Sequence, residues 1–326
     1  MRETRAMQCL MKPRFFVPLL LCLMLLNAGP ARAEQFTVGT WKTAQTIQPF
    51  FYADFLPESD RVSVRPFTNP ADQKTALLAG SLDMCGTTLA HAIHSRSMGQ
   101  PVVLVAALCN KCSALVVKKG AGIDRVADLK GRRIGYVPGT MHEILLRETL
   151  SRNGLSPRTD VHLMRVDFFD MGVALSRGSI DGFLSGEPFP TLAAEKGYGR
   201  ILSYPYFGDA IGSINAGLLV TEAFLKNHPR KVYRLVRAHA LATRHLNQHP
   251  DQWLSRAAAF GVQKSTLEKA APNMALAWKM DETFVRRTRV LGKRMEKLGM
   301  IREQPDYEGL FDLSVVERVQ KELSGE

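Results

Sequence analysis

The sequence has little cysteine, no long apolar run beyond its first 33 residues, and no internal repeat, low-complexity segment or proline-rich linker. Five cysteines in 326 residues exclude a small disulfide scaffold. With 45 % hydrophobic and 23 % charged residues, a disordered or collagen-like chain is excluded too. There is no phosphate-binding glycine loop and no H-E-x-x-H, and the glycines of 182–186 (GFLSG) are wrongly spaced around Ser185 for a nucleophile elbow. Those absences remove the common signatures of nucleotide hydrolysis, zinc proteolysis and serine hydrolysis. The length leaves room for about two domains.

What is present begins with an address. Arg2, Arg5, Lys12 and Arg14 stand against Glu3 alone, 15–26 is apolar but for Pro18, and Ala31-Arg32-Ala33 follows the break at 27–30. This order is that of a secretory signal peptide, with cleavage expected after Ala33. The apolar run of twelve residues is short for a membrane span, which disfavours an uncleaved anchor. Leu21 before Cys22 disfavours a lipoprotein. An exported chain starting at Glu34 is expected. The formal charge of +12 would suit a nucleic-acid binder, but the leader holds five basic residues and one acid, so +8 remains. Arg286, Arg287, Arg289, Lys293, Arg294 and Lys297 fall on one helical stretch without interleaved aromatics and read as a solvated face. No nucleic-acid partner is expected.

From Glu34 to about Gly120, short strand patterns (35–40, 62–67, 82–85, 102–108) alternate with helical ones (47–56, 71–79, 88–98). A second series follows, with strands at 114–118, 133–137, 161–166 and 180–184 and helices at 141–153, 170–177 and 190–196. From Thr221 onward helical periodicity dominates. Alternation of this kind implies an α/β fold with mainly parallel sheets. The chain is expected to form one lobe from 34–116 and 216–326, the latter including the C-terminal helices, and a second lobe from 117–215. The two crossings between them act as a hinge, with a ligand cleft between the lobes.

Four segments carry a resemblance. Residues 71–83 (ADQKTALLAGSLD), 101–107 (PVVLVAA), 128–135 (DLKGRRIG) and 174–182 (ALSRGSIDG) are similar, in that order, to segments of the periplasmic substrate-binding proteins of ABC importers for nitrate, sulfonates, taurine, bicarbonate and thiamine precursors. The resemblance implies a two-lobed, type II-like α/β fold with two hinge crossings and a helical C-terminal segment. It also implies a periplasmic monomer that closes on a small molecule and docks to an inner-membrane permease, without cofactor or catalysis. Eukaryotic relatives of this fold make a thiamine pyrimidine from their own histidine and pyridoxal phosphate with a cysteine-rich motif, and that run is missing here.

In such sheets ligands lie beyond the C-terminal strand ends. Four junctions are candidates. Trp41, Lys42 and Thr43 offer a stacking face, a cation and a hydroxyl. Thr87 and Thr88 open a helix whose free N–H groups suit an anion, or simply cap it. Gly139, Thr140 and His142 form a second helix start facing the first, so that two N-termini clamp an anionic or polar head. Glu187, after an apolar strand, would accept a ligand N–H or bridge the hinge. Asn215 lies at the return crossing, and Phe168 and Phe169 either wall the pocket or fill the core. Cys109 and Cys112 form a C-x-x-C that runs straight into the next strand, which disfavours a thioredoxin-like role. A local disulfide stays open. So does a metal or metallophore site with Cys85, His91, His94 and His142 as helpers.

Overall fold

The computed structural model describes residues 33–208 and 211–325. Of the expected leader, 1–33, all but Ala33 lies outside them. The first alternating series forms β1 (Gln35–Trp41), β2 (Arg61–Phe67), α1 (Pro70–Leu78), β3 (Met84–Thr88), α2 (Leu89–Ser97) and β4 (Val102–Lys111). The second forms β5 (Ser113–Lys118), β6 (Arg133–Tyr136), α3 (Met141–Arg152), β7 (His162–Arg165), α4 (Met171–Ser176), β8 (Gly182–Gly186), α5 (Phe189–Glu195) and β9 (Gly199–Ser203). The chain returns through β10 (Ala216–Thr221). It continues as α6 (Glu222–Asn227), α7 (Pro229–Gln248), α8 (Pro250–Ala258), α9 (Lys264–Ala270), β11 (Met274–Leu276), α10 (Glu282–Lys297), α11 (Tyr307–Leu310) and α12 (Leu313–Ser324).

The described strands make two sheets, β11-β4-β10-β3-β1-β2 and β7-β6-β8-β5-β9. The continuous apolar run of β4 suits a central position, hydrogen-bonded on both edges, and its first eight residues are all buried. Both sheets are mixed rather than mainly parallel. β1, β2 and β3 run parallel, as do β6, β7 and β8, but β10 and β5 run antiparallel to their neighbours. The reason is topological. β5 and β10 each enter from the other sheet rather than from a neighbouring strand of their own sheet, so the one-sheet crossover that keeps strands parallel does not apply to them.

Three further expectations change. The lobe boundary expected at 116/117 falls inside β5, which pairs with β8 and β9 of the second sheet, so the sheets part at Cys112. Residues 86–88 belong to β3 because β10 pairs across them, Ala216 with Thr88 and Gly217 with Thr87. Where a helix was expected at 47–56, 3-10 turns form at Ala44–Thr46 and Gln48–Asp54, the second with Pro49 in its first turn. β11, three residues long, carries no readable period in sequence.

The C-terminal helices brace both sheets. On α7, His239 donates from Nε2 to the Ala107 and Ala277 carbonyls at 2.8 and 3.0 Å and accepts at Nδ1 from the Tyr52 hydroxyl at 3.0 Å. Burial pushes its pKa down to about 4, so it is a neutral strut. Arg294 on α10 reaches Glu148 on α3 at 3.2 Å, and Lys269 on α9 reaches Glu195 on α5 at 2.5 Å. These ion pairs tie helices of the second sheet to the C-terminal helices.

Candidate functional site

A small, partly open cavity of about 30 Å³ lies between the sheets. The first sheet and its loops contribute Trp41, Thr43, Gln45, Thr68, Thr88 and Asn215 to its wall. The second contributes His142, Phe168, Phe169, Gly186 and Phe189. No Lys, Arg, Asp or Glu is among these lining residues. The wall is therefore aromatic and neutral, with a few polar atoms, as small-molecule sites commonly are.

Trp41 ends β1, and the loop after it folds back through a threonine network. Thr40 donates to the Thr46 carbonyl at 2.8 Å, Thr46 donates to the Trp41 carbonyl at 3.1 Å, and the Thr43 and Thr46 hydroxyls are 2.9 Å apart. This compact turn presents Trp41, Thr43 and Gln45 on one side. Trp253 holds the same turn from behind by donating from Nε1 to the Ala44 carbonyl at 2.6 Å. The contrast between the two tryptophans is informative, since both are 7 % exposed. Trp253 has its partner within the fold, whereas Trp41 Nε1 has none. Gln45 Oε1 and Asn215 Oδ1 are likewise buried and unpaired. Buried polar atoms are rarely left so. One donor and two acceptors without partners, around one cavity, mark where a ligand would complete the hydrogen bonding.

His142 faces them from the second sheet. Its Nδ1 lies 3.0 Å from Ser113 Oγ, and Phe168 meets its ring edge-on at 5.4 Å. Burial pushes its pKa down to about 4, so the imidazole is neutral at physiological pH. Phe169 is 40 % exposed at the mouth and meets Phe189 at 5.1 Å. Gln45, Thr68 and Phe189 were not foreseen, because they reach the cavity through loop and helix-start geometry that no sequence period encodes.

Of the expected residues, the structure gathers Trp41, Thr43, Thr88, His142 and Asn215 around the cavity. The others stand elsewhere. Lys42 is exposed and is not among the lining residues. Thr87 is wholly buried one residue short of the wall. At the second helix start two of the expected donors are already taken. The Gly139 N–H donates to Glu143 Oε2 at 2.7 Å, and Thr140, wholly buried, donates to the Val137 carbonyl at 2.7 Å. Glu187 is also wholly buried off the cavity. It accepts from the Thr191 N–H at 3.2 Å and from Asn273 Nδ2 at 3.3 Å, which makes it a hydrogen-bonded brace across the hinge, without a cation. Burial pushes its carboxyl above the usual range, partly offset by those bonds.

Cys85, Cys109 and Cys112 are free, buried thiols, and among the described residues no group of three or more His, Cys, Asp or Glu side chains could hold a metal ion. Burial pushes the Cys109 thiol up to about 12, with Cys85 and Cys112 also raised, so in the fold all three are neutral thiols. His91 instead packs against Gly139, where an added Cβ would lie 2.7 Å from its Nε2.

Comparison with known proteins agrees with this arrangement. Residues 61–253 match the NMT1/THI5-like family. The 4-amino-5-hydroxymethyl-2-methylpyrimidine phosphate synthase of Schizosaccharomyces pombe is 28 % identical over 228 residues, which span 65 % of this chain and 65 % of that protein. A putative aliphatic sulfonates-binding protein of Escherichia coli is 28 % identical over 148 residues, 45 % of this chain and 46 % of that one. Among solved structures, the alkanesulfonate-binding protein SsuA from Xanthomonas axonopodis pv. citri bound to MOPS superposes with a TM-score of 0.75 at 17 % identity, covering 85 % of this chain and 98 % of that one. The periplasmic nitrate-binding protein NrtA from Synechocystis gives 0.74 at 13 % identity, covering 90 % of each. These likenesses place the fold with two-lobed periplasmic binding proteins. With the family match spanning more than half of its length, the chain belongs to the NMT1/THI5-like family.

Proposed function

We propose that this protein is the exported, periplasmic solute-binding component of an ABC importer, and that its solute is a flat, uncharged, nitrogen-bearing heterocycle of the thiamine-precursor type. The observation that carries the reading is the neutral aromatic wall with the unpaired Trp41 Nε1, Gln45 Oε1 and Asn215 Oδ1. An aromatic wall stacks a ring, and those three atoms match ring nitrogens and exocyclic N–H groups. A sulfonate or nitrate would call for cations or free helix-start N–H groups. Lys42 is not among the lining residues, and Glu143 already takes the Gly139 N–H. The ligand favours the closed lobes, and an inner-membrane permease reads the closed surface. The working form is a monomer.

The test is thermal melting and calorimetry of the purified chain against aminopyrimidines, taurine, alkanesulfonates and nitrate. A ligand at 100 times its Kd adds about 2.7 kcal/mol of stability. Stabilisation by aminopyrimidines is expected. Stabilisation by sulfonates or nitrate alone overturns the choice of solute.

The second reading is a pyrimidine synthase, favoured by the name of the Schizosaccharomyces pombe relative. The cavity does not suit a phosphate-bearing cofactor, since no Lys or Arg is among its lining residues. Purified protein with an absorbance band of bound pyridoxal phosphate would overturn the binding-protein reading.

A further inference from the structure

Asn215 stands at the return crossing, immediately before β10, and its side chain faces two ways. Its Nδ2 donates to the Lys111 carbonyl at 3.3 Å and to Cys112 Sγ at 2.9 Å, both on the outward crossing. Its Oδ1 is buried, without a partner, at the cavity wall. An amide can turn over and exchange its oxygen and nitrogen. Here the Lys111 carbonyl can only accept, so it selects the N–H, and the sulfur accepts from the same group.

The crossing that supplies those acceptors is held in an unfavourable shape. Lys111 and Cys112 have φ of 57° and 76°, and they are the non-glycine residues with positive φ among those described. Their conformation is fixed from both sides, because Cys112 N–H donates to the Asn273 carbonyl at 2.8 Å and its own carbonyl accepts from the Glu187 N–H at 2.8 Å. Strained residues held this firmly concentrate at working sites. The turn carries the chain between the sheets in a single residue and aims the Lys111 carbonyl and the Cys112 sulfur at Asn215. The second cysteine of the C-x-x-C acts as a weak acceptor in a dry hinge.

We propose that Asn215 determines specificity as a locked hydrogen-bond acceptor for a ligand N–H, with Cys112 as its positioning residue across the hinge. The proposal rests on the heterocycle reading above for its ligand and on the hinge geometry for the lock. It predicts that the site rejects a ligand of the same outline without an N–H, since Oδ1 would then stay buried and unpaired.

The probes are 4-aminopyrimidine and its methyl isostere 4-methylpyrimidine, titrated into the full chain by calorimetry. The wild type is expected to prefer the amino probe by at least about tenfold. In Asn215→Leu the preference falls below about threefold, with the methyl probe bound no worse. In Cys112→Ala it falls to an intermediate value, and Cys112→Ser, which keeps an acceptor, restores it. A ligand-free readout accompanies these. The Asn215 side-chain amide protons exchange slowly by NMR in the wild type and in Cys112→Ser, and faster in Cys112→Ala. Unchanged amide exchange in Cys112→Ala overturns the lock, and equal binding of both probes to the wild type overturns the specificity role. If neither probe binds while the amide responds as expected, the lock stands and the heterocycle reading falls.

Discussion

α2 and α3 each begin behind a capping threonine, and each carries a buried histidine in its first turn. Thr88 accepts from the His91 N–H at 3.3 Å, and Thr140 accepts from the Glu143 N–H at 3.3 Å. From there the two starts diverge. Thr88 lies on the cavity wall, and the first N–H of α2 donates to the Asn215 carbonyl at 2.9 Å, which ties this start to the return crossing. At α3 the Glu143 carboxylate folds back onto the Gly139 N–H, just ahead of the cap, and is held in turn by Arg147 at 2.7 Å, so that donor is satisfied from within its own turn. A helix N-terminus is available to a ligand only where its first donors are not already satisfied locally. Its cap and dipole alone do not make it a site.

Acidification gives the largest expected effect. His91 and His142, one at each start, both have pKa values pushed down to about 4 by burial, against 6.5 for the free side chain. A folded pKa below the unfolded one means that the neutral form is favoured in the fold. The stability is fully present above pH 6.5 and is lost as pH falls toward 4. Each site contributes on the order of 3 kcal/mol at most. Urea melts at pH 7.5 and pH 4.5 should differ by several kcal/mol, and His91→Gln and His142→Gln should each flatten the slope. If only one does, the two first turns are not the equivalent buried environments described above.

Gly139→Ala is next. Its φ of +71° disfavours a side chain, and the new Cβ would lie 2.7 Å from His91 Nε2, across the cleft. A loss of about 1–3 kcal/mol is expected. Ligand affinity should also weaken, because the wedge opposes closure. His91→Ala in the same chain relieves the clash but leaves the backbone strain, so it should restore part of both losses. No restoration would mean that strain alone is at work and that the α3 start is no joint between the lobes.

The caps follow, at about 1 kcal/mol each. Thr88→Ala and Thr140→Ala should cost similar stability in urea. Only Thr88→Ala should also change the affinity for a bound pyrimidine, because only Thr88 lies on the wall. Equal losses of affinity would erase the distinction between the two starts.

The expectation of two equivalent starts was reasonable in sequence, and the way it failed is specific. Strand and helix periods, glycine stops and the threonine cap of α2 are legible because each is a local property. Gly80 and Gly154, at φ of 73° and 75°, end α1 and α3 where a left-handed residue is needed. The closing of α3 by Glu143 was also local, a threonine followed three residues later by glutamate, and that signal went unread. Gln45 and Phe189 had no such signal. Nor did the pairing of β10 across Thr87 and Thr88, because partners so distant in sequence leave no local period.

Glu187 provides the finest comparison, with Glu143. Both are buried carboxylates near a helix start, at 0 % and 6 % exposure. Glu143 has Arg147 beside it, while Glu187 is held by neutral groups, the N–H and side chain of Thr191 and the Asn273 amide. For Glu187 desolvation dominates those bonds and raises its pKa. A folded pKa above the unfolded one binds protons in the fold, so its contribution is fully present below the unfolded pKa and is lost as pH rises through the folded one. Glu187→Gln cannot titrate. Between pH 5 and pH 8 the wild type should therefore lose stability relative to this variant, with the gap opening toward pH 8 in parallel melts. Parallel curves, or a gap opening toward pH 5, would show that a positive charge reaches Glu187 after all, and the hinge would then be braced by an ion pair.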